Sequence, residues 1–189
     1  SALCKRTRSE FDSDACFRVL AAALNTEAIP NLLDKASDCL ENQLCENQSF
    51  APELFFGKNQ PDGKLAFVFP GQGSQYPFMG FGLEKAFEEA AAVMEKADLF
   101  FYPGPSLWSY LNPEGDSRAK ATSADTAALQ ATDVAQPAIG AVSLMMMKIL
   151  QKHSLFADAA CGHSFGELTA LCAAERISEE DFMKLAVNR

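Results

Sequence analysis

Two hydrophobic rhythms alternate along the chain. Short, dense apolar runs, CFRVLAAAL (16–24), KLAFVF (64–69) and a stretch at 157–161, have the length and composition of strands, and KLAFVF those of a strand buried on both faces. Between them, apolar residues recur at helical spacing. Leu83, Phe87, Ala90, Met94 and Ala97 predict a helix over 83–99, and Ile139, Val142, Met146, Ile149 and Leu150 predict one over 136–152, with Pro137 near its start. Asn25 or Thr26 can cap a helix running to about residue 43, since Pro30 falls in or near its first turn. A helix is expected at 166–175, and Ser178-Glu179-Glu180-Asp181 resembles a capping box heading the last one. The polar stretch 44–63, around PELFF (52–56), reads as a connector. Residues 102–128, with three prolines and two glycines, read mostly as loop around a small helix near 107–111.

The order from residue 64 is strand, helix, helix, strand, helix, helix. This predicts an α/β fold with a mainly parallel sheet and flanking helices. A boundary near residue 60 divides the chain into 1–60, a small α/β linker segment, and 61–189.

Composition narrows the chemistry. With 48% hydrophobic residues the chain can bury a core, and its net charge of −9 argues against nucleic acid as the main partner. No run approaches the ~18 apolar residues of a membrane span. The chain starts at Ser1 without a signal-like segment, so it is expected to come from a longer polypeptide. Six cysteines lack metal-type spacing; reduced core cysteines in a cytoplasmic setting are expected, and no metal site. Of the Met145-Met146-Met147 run, core filling is the expected role.

The candidate chemistry lies in Gly162-His163-Ser164-Phe165-Gly166, which joins an apolar strand to a helix. A nucleophile elbow has this setting: a strained serine at the tip of the turn, glycines two residues away where backbones crowd, and a free N–H on the next residue. The alternative is a glycine-rich turn with Ser164 as a plain N-cap. His163, adjacent in sequence, points elsewhere and is a poor base for Ser164; His153 closes a helix. No other histidine exists, so a serine nucleophile here lacks its base.

Three stretches together resemble one family. FVFPGQGSQ (67–75), QPAIG (136–140) and GHSFGE (162–167) are similar to malonyl-CoA:acyl carrier protein transacylases and to the acyltransferase domains of polyketide and fatty acid synthases. The fuller strings DVAQPAIGAVSL and GHSFGELTAL resemble the acyltransferase of polyunsaturated fatty acid synthases, and the segment before residue 64 resembles the end of a ketosynthase–acyltransferase linker. The resemblance implies Ser164 as the nucleophile, the backbone N–H groups of Gln72 and Phe165 as oxyanion hole, and Arg189 as anchor for the malonyl carboxylate. Arg189 can instead be a terminal arginine in solvent, although a helical stripe of Phe182, Leu185, Ala186 and Arg189 would turn it to the core side. Phe165 is similar to the apolar residue common in malonyl-type members.

The resemblance also implies malonyl-CoA as substrate and the phosphopantetheine thiol of an acyl carrier protein as acceptor. It implies no permanently bound cofactor, and a neighbouring ketosynthase in the same synthase. The family's catalytic histidine and its ferredoxin-like subdomain would lie beyond residue 189, so the isolated chain is expected to be inactive. Glu175-Arg176 stands where the family has a small residue or glycine. Two rival readings remain: a lipase- or esterase-like serine hydrolase, and a non-catalytic structural module.

Overall fold

A computed structural model of the chain describes residues 6, 10, 12, 15, 17–23, 25–41, 49–51, 53–58, 63–101, 103–113 and 121–188. Two compact units divide at residues 63 and 64. The first holds β1 (Phe17–Ala21), a 3-10 turn (Thr26–Ala28), α1 (Ile29–Glu41), β2 (Ser49–Ala51) and β3 (Leu54–Lys58). The strands form an antiparallel sheet in the order β1-β3-β2. Asn25 caps the turn by accepting from the Ala28 N–H at 3.1 Å. Part of the expected connector at 44–63 is therefore strand. In β3, Leu54 and Phe56 are buried while Phe55 is exposed, a two-residue alternation hidden inside the short apolar string PELFF.

The second unit contains β4 (Ala66–Phe69), α2 (Leu83–Ala86), α3 (Glu88–Leu99), α4 (Leu107–Leu111), α5 (Ser123–Gln130), α6 (Thr132–Lys152), β5 (Ala159–Gly162), α7 (Phe165–Ala173) and α8 (Glu179–Val187). β4 and β5 pair in parallel, with Ala66 opposite Ala159 and Phe69 opposite Gly162. Asp158 fixes this register at one end, accepting from the Leu65 N–H at 2.9 Å while its own N–H donates to the Leu65 carbonyl. The α/β class and parallel pairing agree with the sequence reading. Burial on both strand faces does not: Val68 is 73% exposed, because the described sheet has only these two strands, and one face is left open.

α6 is the spine, packed by α3, α4, α5, α7 and α8. It is long and apolar enough to cross a bilayer, yet 61% of its most apolar window is buried within the fold. It begins four residues before the expected start, so Pro137 lies inside it. The proline is tolerated because the carbonyl it leaves without a helical donor belongs to Asp133, in the exposed first turn. Met145 and Met147 are buried but Met146 is 55% exposed, so the core-filling reading holds for two of the three.

The helix expected over 83–99 is broken at Phe87 (φ −139°, ψ 123°), whose ring stands edge-on to His153 with centroids 6.3 Å apart. Within the expected loop at 102–128, α5 begins at a full capping box. Thr122 accepts from the Asp125 N–H, and the Asp125 carboxylate accepts from the Thr122 N–H at 2.8 Å.

Candidate active site at the strand-to-helix turn

The parallel register brings two loops out at the carboxyl ends of β4 and β5. Phe69 lies opposite Gly162, so Pro70-Gly71-Gln72 emerges beside His163-Ser164-Phe165. The His163 N–H extends the ladder by one bond, donating to the Phe69 carbonyl at 3.1 Å. A crevice outside the carboxyl ends of parallel strands is where α/β sheets bind ligands.

Ser164 has φ 54° and ψ −115°, a conformation that a residue with a side chain adopts at a cost of roughly 1–3 kcal/mol. Its surroundings impose that conformation. A Cβ on Gly162 would lie 2.0 Å from the Gly166 carbonyl oxygen, and one on Gly166 would lie 2.2 Å from the Phe69 oxygen and 2.8 Å from the Pro70 oxygen. These contacts are with backbone, which cannot swing aside. The two glycines thus seat the turn against itself and against the end of β4.

Ser164 occupies the N-cap position of α7, but its hydroxyl makes no capping bond. The plain capping role is therefore excluded by geometry. The side chain is exposed, and among the described residues its hydroxyl has no hydrogen-bond partner. No hydrogen bond joins His163 to Ser164. His153 stands at the far end of α6, a helix about 30 Å long at 1.5 Å per residue, and its ring meets Phe87. Neither histidine is hydrogen-bonded to Ser164.

Several backbone N–H groups here have no partner among the described residues, and two of them concern an oxyanion. Gly166 and Glu167 donate to the His163 and Ser164 carbonyls, whereas the Phe165 N–H has no partner among the described residues. It opens α7, so the helix dipole adds to its pull on negative charge. The Phe165 side chain is wholly buried against Phe182, ring centroids 5.8 Å apart. Its apolar character thus serves the core, and only its N–H faces the turn.

The second donor is on Gln72. A Cβ on Gly71 would lie 2.6 Å from the His163 oxygen and 3.2 Å from the Ser164 Cβ, so this loop touches the turn directly. Within the loop, Ser74 Oγ donates to the Gly71 carbonyl at 2.9 Å and the Gly73 N–H donates to Gln75 Oε1 at 2.8 Å. The Gln72 N–H is unpartnered among the described residues. The Gln72 side chain reaches α6, where Nε2 donates to Thr132 Oγ1 and Oε1 accepts from Gln136 Nε2, both at 3.1 Å.

Sequence reasoning did not single out these two partners. Gln136 sits inside the QPAIG string, and the only signal for Thr132 is its place one helical turn earlier. Arg189 lies outside the described residues. Of the stripe expected to orient it, Phe182 and Ala186 are buried but Leu185 is 47% exposed; Met183 fills the core instead. The clearest perturbed thiol is buried Cys172 on α7, pushed up to about 11, chiefly by burial and then by the charge of Glu179.

A strained serine between a parallel strand and a helix, with free N–H groups beside it, defines the class of α/β proteins with a nucleophile elbow. Within that class, residues 66–189 match the model of the acyl transferase domain family, and the chain belongs to that family. It is 35% identical over 135 residues to polyketide synthase GfsA of Streptomyces halstedii, covering 69% of this chain and 2% of the synthase. The solved acyl-carrier-protein-S-malonyltransferase of Bartonella henselae is 35% identical, with a TM-score of 0.56, and the match covers 66% of this chain and 37% of that one. The acyltransferase domain from the second module of the salinomycin polyketide synthase superposes with a TM-score of 0.65 over 98% of this chain and 42% of its own; at 24% identity that likeness establishes the fold. The chain thus spans about a third of the transacylase and a small fraction of the synthase.

Proposed function

We propose that this chain supplies the nucleophile and oxyanion hole of an acyltransferase that moves a malonyl group from coenzyme A to an acyl carrier protein, within a larger synthase. One observation carries the reading: the exposed, uncapped Ser164 sits in a strained turn between the free N–H of Phe165 and the Gln72 loop. Ser164 Oγ attacks the thioester carbonyl while its proton passes to a base outside this chain. The Phe165 and Gln72 N–H groups stabilise the tetrahedral oxyanion. The intermediate collapses by breaking the C–S bond, and the base returns the proton to the coenzyme A thiolate. The phosphopantetheine thiol of the carrier protein then attacks the seryl ester by the same steps in reverse order.

Arg189 is proposed to hold the free malonyl carboxylate in its guanidinium fork; its offset from Ser164, shared with the family, supports this. The chemistry needs no resident cofactor. Relatedness to polyketide synthases supports carrier-protein and ketosynthase domains as neighbours in the same polypeptide. The test is labelled-malonyl exchange between coenzyme A and carrier protein, measured on the polypeptide that carries the whole domain. Ping-pong kinetics are expected, with Arg189→Ala weakening malonyl transfer more than acetyl transfer. Hydrolysis of neutral esters in preference to transfer would instead favour a serine hydrolase.

A further inference from the structure

We infer that Thr132 and Gln136 are positioning residues that clamp Gln72 so that its backbone N–H faces the turn at Ser164. The inference rests on the acyltransferase reading above and adds two residues to it. Gln72 stands in a turn with a glycine on each side, closed by a long bond from the Ser74 N–H to the Gly71 carbonyl at 3.4 Å and with Gly73 at φ 106°, so the backbone alone holds its peptide weakly. Its side-chain amide is held at both ends instead. Nε2 donates to Thr132 Oγ1 and Oε1 accepts from Gln136 Nε2, each at 3.1 Å.

The two partners lie four residues apart on α6 and so present neighbouring groups on one face. Between and beside them, Val134, Ala135, Pro137 and Ala138 are buried in the core. The clamp is therefore anchored to a helix packed into the core. It does not depend on which way the amides are placed, because a threonine hydroxyl both donates and accepts and both glutamines can turn over together. With the side chain occupied, and with Ser74 and Gln75 holding the loop on the other side, the Gln72 N–H, like that of Gly71, has no partner among the described residues.

The chemistry predicts a separable signature. A clamp that aims an oxyanion donor affects the transition state rather than thioester binding, and losing such a donor outright costs roughly 10²–10³ in rate. Loosening it should cost less, on the order of tenfold, in kcat with KM unchanged. Thr132→Val keeps the shape and removes the hydroxyl; Thr132→Ser restores it. Two measurements test the clamp. In this chain, hydrogen exchange of residues 71–75 should quicken in Thr132→Val and in Gln136→Leu and return to the parent rate in Thr132→Ser, with unchanged exchange in α7. In the polypeptide carrying the complete domain, malonyl transfer should show the kcat loss and the serine rescue. Unchanged exchange in the loop, an unchanged kcat, or a loss confined to KM would each overturn the inference. Failure of the parent polypeptide to acylate Ser164 would sink the acyltransferase reading instead, while the exchange measurement would still decide the clamp.

Discussion

Replacing Gly166 by alanine drives a methyl group into the end of β4. The new Cβ would sit 2.2 Å from the Phe69 carbonyl oxygen and 2.8 Å from both the Phe69 carbon and the Pro70 oxygen. Ordinary contact begins at 3.4 Å, so the shortest of these is too close by about 1.2 Å. The obstacle is backbone, and the Phe69 carbonyl also accepts from the His163 N–H. Relief therefore requires α7 to move away from β4 by about 1 Å rather than a side chain to rotate. Overpacking of this kind costs about 1–3 kcal/mol, read as a lower thermal midpoint. The same movement carries the Phe165 N–H and Ser164 away from the Gln72 loop, and a misplacement of about 1 Å costs roughly 100-fold in rate. Gly140→Ala is the comparison. There the Cβ meets only side chains, the wholly buried rings of Phe182 at 2.7 Å and Phe165 at 3.3 Å, so an overpacking cost of about 1–3 kcal/mol falls on the core without pressing the backbone of the turn, and acylation should fall less than in Gly166→Ala. Thermal unfolding and single-turnover acylation of both variants settle the matter. A Gly166→Ala protein that melts and acylates like the parent would refute the steric account of the turn.

Other expectations are simpler. α7 ends in a 6→1 and 5→2 pair of hydrogen bonds, Arg176 N–H to the Leu171 carbonyl and Glu175 N–H to that of Cys172, with Glu175 at φ 56° where glycine is favoured; Glu175→Gly should stabilise by about 1 kcal/mol in denaturant titration. Met145→Ala should cost about 2–5 kcal/mol and Met146→Ala less than about 0.5 kcal/mol, and equal effects would contradict the observed burial. Under native conditions at pH 8, iodoacetamide should label exposed Cys161 well before Cys172, with peptide mass spectrometry as the readout. Because the folded Cys172 thiol titrates above its ordinary 9.0, its contribution to stability is full below that value and is lost as pH rises through about 11.

Much of this architecture was legible where local patterns were strong. KLAFVF as a parallel strand, the glycine-serine-glycine run as a strand-to-helix turn and Ser178 as a cap are each local patterns that the structure adopts. The misses have physical causes. β3 was hidden because its alternation spans only three residues, Leu54 to Phe56. α6 starts early because Pro137 marks a tolerated interior position as readily as a first turn. Phe87 breaks a helix that its spacing would continue, through packing against a histidine 66 positions away in sequence. At the site, Ser164 could be read from the flanking glycines, since their steric role is local. The Thr132–Gln72–Gln136 bridge could not, because it joins loop and helix across 60 and 64 residues.

The central claim is that Ser164 carries the acyl group. The direct measurement is mass spectrometry of the polypeptide bearing the complete domain, quenched in acid during turnover with malonyl-CoA. The account predicts a malonyl ester on the peptide containing Ser164, absent in Ser164→Ala and discharged when carrier protein is added. Normal malonyl transfer by Ser164→Ala, or an acyl group found on another residue, would contradict it.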